Sequence, residues 1–214
     1  MKRRRTVALL VAALIVAVSL ALAACGGDDK TSAQSTNGNP TDRAFVTQMV
    51  PHHKSAIEMA RLAEKNASRQ ELKTLAGAII TAQAAEITQL KSIDQRLSTT
   101  GVKVGDLGMT DDAMGMAMGM DGLESKQGFE RNFIDAMVPH HQGAIRMARV
   151  ELAKGGDAES KAVADGIIAA QSKEIAQMNG WRLRWYGAMS PAGGVPPMDE
   201  DASSAGTMNG MSHG

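Results

Sequence analysis

Residues 45–61 read FVTQMVPHHKSAIEMAR, and residues 133–149 read FIDAMVPHHQGAIRMAR. The two stretches stand 88 positions apart and belong to a longer match: residues 43–90 align with 131–178 without a gap, and 22 of those 48 positions are identical. A match of that length marks an internal duplication. Within the first copy, Phe45, Met49, His52, Ala56, Met59 and Ala63 recur at steps of three and four, the stripe of an amphipathic helix. Asn66-Ala67 breaks the pattern, and Ser68 to Glu71 has the form of a capping box opening a second helix. That helix carries the stripe Leu72, Leu75, Ile79, Gln83, Glu86, Leu90, Ile93 and Leu97. The second copy repeats the scheme, with Gly155-Gly156-Asp157 as its break. The expected helices span 41–66, 68–98, 127–154 and 157–187. None buries its stripe alone, so the expected fold is all-α, a four-helix bundle made of two duplicated helical hairpins. Pro51 and Pro139 fall inside the first helix of each hairpin, where the helix either bends or restarts.

The apolar stripes contain polar residues. A hairpin turning near residue 67 brings Met49, His52, Gln83 and Glu86 to one level, with His53 joining from the flank. The second copy supplies Met137, His140, His141, Gln171 and Glu174 in the same way. Buried Glu is uncommon without a partner. Imidazole and thioether together suit copper, the thioether favouring Cu(I) over Cu(II). The expected ligands are therefore Met49, His52, His53, Met59, Met137, His140, His141 and Met147, with Gln83, Glu86, Gln171 and Glu174 orienting the imidazoles. A lone HH pair, or Met on a bundle stripe, is more often structural. Two HH pairs held with Met, Gln and Glu at one level favour a metal site. Between the repeats, Met109, Met114, Met116, Met118 and Met120 alternate with small residues, either an auxiliary site for a soft ion or a crossover packed on the bundle. Met208, Met211 and His213 in the tail form a weaker candidate.

The ends carry other signals. Lys2 to Arg5 precede an almost unbroken apolar run from Val7 to Ala24, followed by Cys25, the single cysteine among 214 residues. This is the pattern of a secretory signal whose LAAC stretch resembles a lipoprotein lipobox. The expectation is an exported chain, lipid-anchored through Cys25 on the outer side of a bacterial cytoplasmic membrane; the alternative is an uncleaved anchor. Residues 26–40 read as a flexible tether, 41–187 as the bundle (repeats 41–98 and 127–187 with a connector at 99–126), and 188–214 as a disordered tail. Beyond the four N-terminal cations, 19 basic residues face 23 acidic ones, a net of −4. No clustered positive charge points to nucleic acid. No nucleophile–base pair or phosphate loop suggests an enzyme.

The double F-x3-MVPHH-x2-AI-x-MA motif, each copy followed by Q-x2-EI, resembles the DUF305 family over about residues 41–187. Phe45, Met49, His52, His53, Ala56, Met59, Gln83 and Glu86 carry the resemblance, with Phe133, Met137, His140, His141, Ala144, Met147, Gln171 and Glu174. It implies a ferritin-like fold and, for some members, exported copper binding linked to resistance. The expected partners are a metal ion, the membrane and copper-handling envelope proteins. Two other metals are weighed. Di-iron needs more inward carboxylates and Glu-x-x-His pairs, which are absent. Zinc on four histidines leaves the methionines without a role. A metal-free envelope scaffold, in which the polar level only fixes helix register, is the alternative from another class.

Overall fold

The structure is a computed structural model that describes residues 38–116, 123 and 126–198. Its helices are α1 (Pro40–Asn66), α2 (Gln70–Thr99), α3 (Phe129–Lys154) and α4 (Ala158–Tyr186), and no strand occurs among the described residues. Every boundary falls within two residues of the span expected from periodicity. Both prolines lie inside unbroken helices, so neither helix restarts at its proline.

The capping chemistry differs from expectation at one start. Arg69, not Ser68, is the N-cap of α2, and it makes no side-chain cap. The Ser68 N–H donates instead to the Glu130 carboxylate at 2.6 Å, which ties the α1–α2 turn to the start of α3. The capping box forms at α1: Asn39 accepts from the Thr41 and Asp42 N–H groups, and the Asp42 carboxylate takes the Asn39 N–H. Pro40 occupies the first turn, where its missing donor costs nothing. Asp42 also accepts from the Gly156 and Asp157 N–H groups at 2.9 and 2.8 Å, pinning α1 to the α3–α4 turn. Asp157 in turn caps α4 and pairs with Arg96 of α2 at 2.9 Å.

Each hairpin packs closely on itself, and the hairpins meet chiefly through α1 against α3, with α2 and α4 in much looser contact. Two apolar clusters fill the bundle. One joins Phe45, Met49, Leu90 and Ile93 to Met147, Val163 and Ile167. The other joins Met59, Leu72 and Ile79 to Phe133, Met137 and Met178. The early half of α1 thus shares its cluster with the late half of α3, and the converse, so the hairpins lie head to tail. Burying each large side chain contributes roughly 1.5–3 kcal/mol. The histidines lie between the two clusters in sequence, and the polar level divides the core. At the α4 end, Trp181 is buried in the second cluster and stacks on Trp185, with Arg69 over the Trp185 ring at 4.2 Å.

Residues 188–198 are not the free tail expected of them. Gln142 donates to the Ala192 and Gly194 carbonyls at 2.7 and 2.6 Å. Asn179 donates to Gly193 and accepts from the Ser190 N–H. The reason is that two buried amides of α3 and α4 need partners, and a Gly/Pro-rich backbone supplies carbonyls. The expected signal segment, Cys25, most of the expected tether and residues 199–214 lie outside the described residues.

Candidate metal centre

Adjacent residues on a helix point about 100° apart, and α1 has neighbours on two sides. His53 faces α2, its Nε2 2.7 Å from Glu86 Oε2 and off the hydrogen-bond axis. His141 faces α4 and donates from Nε2 to Glu174 Oε2 at 2.6 Å. His52 faces α3, where its ring meets that of His140 with centroids 3.8 Å apart and planes at 42°. The four histidines form one level: Glu86–His53, His52–His140, His141–Glu174. Spacing along the hairpin puts His52 at the level of Glu86 and His53 at the flank; the structure exchanges them. Counting from the turn fixes height along a hairpin but leaves direction around the helix open.

All four imidazoles are buried. The His52 Nε2 lies 2.8 Å from the Met114 carbonyl oxygen. A carbonyl has no proton to give, so Nε2 donates and Nδ1 holds the lone pair. Nδ1 of His52, His53 and His141 is buried without a hydrogen-bond partner, as are both ring nitrogens of His140. Burial, above all, pushes His52 down to about 3; the His53 and His141 charges add to this, against the Met114 and His140 carbonyls, which favour protonation. His140 is held well below 6.5 by burial and then by His52, His141 and His53. Both are neutral bases at physiological pH. An unsatisfied buried acceptor costs roughly 1–3 kcal/mol, so this level carries an unmet demand for an electrophile. Gln83 and Gln171 add two buried, unpartnered amide oxygens.

The expected thioethers divide by cluster. Met49 and Met147 share one and Met59 and Met137 the other, so each repeat contributes one methionine to either side of the polar level. Among the described residues no three His, Cys, Asp or Glu side chains converge on a common metal position. In the connector, Met109 and Met114 pack against the first cluster, Met116 is half-buried, and Met118 and Met120 lie outside the described residues.

Two features escaped the sequence reading. One is the Met114 carbonyl on His52. The other is a cavity of about 300 Å³ lined by Gln48, Pro51, His52, Asp111, Met114 and Met116. Backbone atoms have no sequence signature, but one trace was present. Gly143 and Arg146 replace Ser55 and Glu58 of the first copy, and these are contacts of the connector. A side chain at 143 would collide with the Met114 carbonyl, and Arg146 reaches the Ala113 carbonyl at 3.4 Å.

The chain is similar to solved structures of CopM. Its Cu(I)-bound form is 38% identical with a TM-score of 0.58, and the match spans 68% of this chain and 98% of that one. An Ag-bound form matches at 37% identity and TM-score 0.58, over 68% of this chain and 97% of that one. A DUF305 fragment from Deinococcus radiodurans matches at 26% identity and TM-score 0.54, over 69% of this chain and 98% of that one. A DUF305 protein from Streptomyces coelicolor, described as secreted, matches at 26% identity and TM-score 0.56, over 71% and 95%. No curated protein matches the chain. The profile of the family described as "domain of unknown function (DUF305)" matches residues 42–182 and again 130–214. With the duplicated hairpin, the paired histidines and this match together, the chain belongs to the DUF305 family.

Proposed function

We propose that this protein binds copper at one centre shared by the two repeats, formed where His52 meets His140. The observation that carries the reading is the buried, neutral His52–His140 pair at a level where all four histidines have unpartnered ring nitrogens. Soft, low-coordinate Cu(I) suits imidazole and thioether donors better than Cu(II), zinc or iron does. In this reading His52 and His140 are the nitrogen donors at the seam, and His53 and His141, which face α2 and α4, are the further nitrogen candidates of the level. Met49, Met59, Met137 and Met147 are the thioether candidates, and Glu86, Glu174, Gln83 and Gln171 orient the imidazoles. Neutral His52 and His140 admit a cation without first losing protons, so uptake at the seam costs little near pH 7. The copper- and silver-bound forms of CopM support the same chemistry by likeness.

The cellular role we assign is extracytoplasmic sequestration or handoff of copper, without catalysis. The lipobox-like LAAC ending at Cys25 supports export and lipid anchoring. Anaerobic Cu(I) titration of residues 26–214 against a competing chelator tests the centre, with His52, His53, His140 and His141 replaced by Ala in parallel. Wild type is expected to withdraw copper and the quadruple variant to lose that capacity. Equal binding by both would remove the centre from the bundle and leave the methionine-rich connector as the candidate.

A further inference from the structure

The four histidines are enclosed by helices on most sides, and His52 and His140 are 2% and 1% exposed. Among the described residues, the covering segment that is not helix, over the His52–His140 contact, is the turn from Thr110 to Met116. It is ordered by its own hydrogen bonds: Met114 N–H to Thr110, Gly115 N–H to Asp112 and Met116 N–H to Asp111 carbonyls, at 2.8–2.9 Å. It sits on α3 by backbone against backbone. Met114 lies over Gly143, and a methyl group on Gly115 would press on the Pro139 carbonyl and on His140 Cα at 2.8 Å. Gly115 has φ +71, which suits glycine. The side of this turn facing α1 walls the cavity that reaches His52, and Met114, Met116 and Asp111 are among the residues that line it.

We propose that this turn is the port of the bundle centre: a soft monovalent cation is captured in the cavity by Met114 and Met116 and enters when the Met114 carbonyl releases His52. The inference rests on the copper reading above. The chemistry selects the cation class. Thioethers hold Cu(I) or Ag(I) but not sodium or magnesium, and the single carboxylate of Asp111 draws positive charge to the entrance without enclosing a hard ion. The latch is one hydrogen bond, 2.8 Å long, from His52 Nε2 to the Met114 carbonyl. It confines opening to one side of the pseudo-symmetric level, because the first repeat has Ser55 where the second has Gly143.

The test is stopped-flow uptake of Cu(I) from a coloured chelator, and its release to excess chelator, by the full chain without its signal segment. Gly143→Ala displaces the Met114 carbonyl while leaving a residue better suited to helix. Gly115→Ala unseats the turn independently, and serves if the first variant folds poorly by circular dichroism. Gly166→Ala, where an added methyl meets nothing within 4 Å, is the control. Loss of one hydrogen bond of about 1–1.5 kcal/mol corresponds to roughly 5- to 10-fold faster uptake and release. Copper stoichiometry is expected to remain that of wild type, and Gly166→Ala to match wild type in rate. Unchanged rates in folded Gly143→Ala and Gly115→Ala would overturn the port while leaving the centre. Absence of Cu(I) uptake by wild type itself would overturn the copper reading and the port together.

Discussion

His52 and His140, 88 positions apart in sequence and equivalent in the duplication, meet at the α1–α3 seam with ring centroids 3.8 Å apart and planes tilted by 42°. Self-contact of equivalent residues places them at the pseudo-twofold axis, so what each repeat brings to the seam is brought twice. Two neutral imidazoles at that distance tolerate no proton easily.

Acid should therefore destabilise the metal-free chain before its carboxylates titrate. An unfolded His52 takes a proton below its ordinary 6.5, whereas the folded one refuses it until about 3. The unfolded state binds more protons in that window, so stability is complete above 6.5 and falls as pH drops toward 3. Urea unfolding of metal-free protein between pH 7 and 4 should show midpoints falling with pH. The fall should be shallower in the His52→Gln, His140→Gln double variant, and an equal fall in both would contradict it.

Glu151 has the opposite sign. Burial first, then the hydrogen bond and charge of Asp42, push its carboxyl up to about 9, against the pull of Lys161. It folds as a neutral acid facing Asp42. Its contribution is complete below 4.5, the value when exposed, and is lost as pH rises toward 9. Glu151→Gln keeps the shape without the proton cost. It should stabilise the chain at pH 8 by on the order of 2 kcal/mol and by little at pH 4.5. Thermal unfolding at the two pH values checks this.

Glu86 and Glu174 each stand beside one histidine of the level, 2.7 Å from His53 and 2.6 Å from His141. If they orient ligands, Glu86→Gln and Glu174→Gln should weaken Cu(I) binding by roughly 10- to 100-fold in chelator competition. Both are partly exposed, so neither change should alter thermal unfolding much. A large loss of stability with unchanged copper affinity would mark them as structural.

Met49, Met59, Met137 and Met147 are fully or almost fully buried in the two apolar clusters. Exchanging Met for Leu conserves volume and usually costs less than 1.5 kcal/mol. Single Met→Leu variants should therefore fold like wild type. Any of the four that ligates copper should show weaker Cu(I) binding at unchanged stability, and four unchanged affinities would leave the centre to nitrogen donors alone.

The 188–198 segment is tied down by Gln142, which donates to Ala192 and Gly194, by Asn179, which bonds Gly193 and Ser190, and by Arg149, which donates to Pro196 and Pro197. Gln142→Ala should loosen it, and adding Arg149→Ala should loosen it further. Limited proteolysis should then cut within 188–198 faster than in wild type, with the helical core and its unfolding midpoint little changed.

The duplication, four helices and their ends within two residues, and the burial of the paired histidines were legible in the sequence, because helical period and repeat register are local or self-referential properties; Met49 and Met137, expected on the polar level, pack instead in the apolar clusters on either side of it. The same reasoning erred at Ser68, whose N–H is claimed by Glu130 from the other hairpin. What the tertiary structure alone decided is direction. Adjacent histidines differ by about 100° around a helix, and only the positions of α2 and α3 settle that His53 meets Glu86 while His52 meets His140. The Met114 carbonyl on His52 and the Asp42–Glu151 pairing belong to the same class. Each joins groups distant in sequence, one of them a backbone atom common to every residue type, so only packing of the connector and hairpins brings them together.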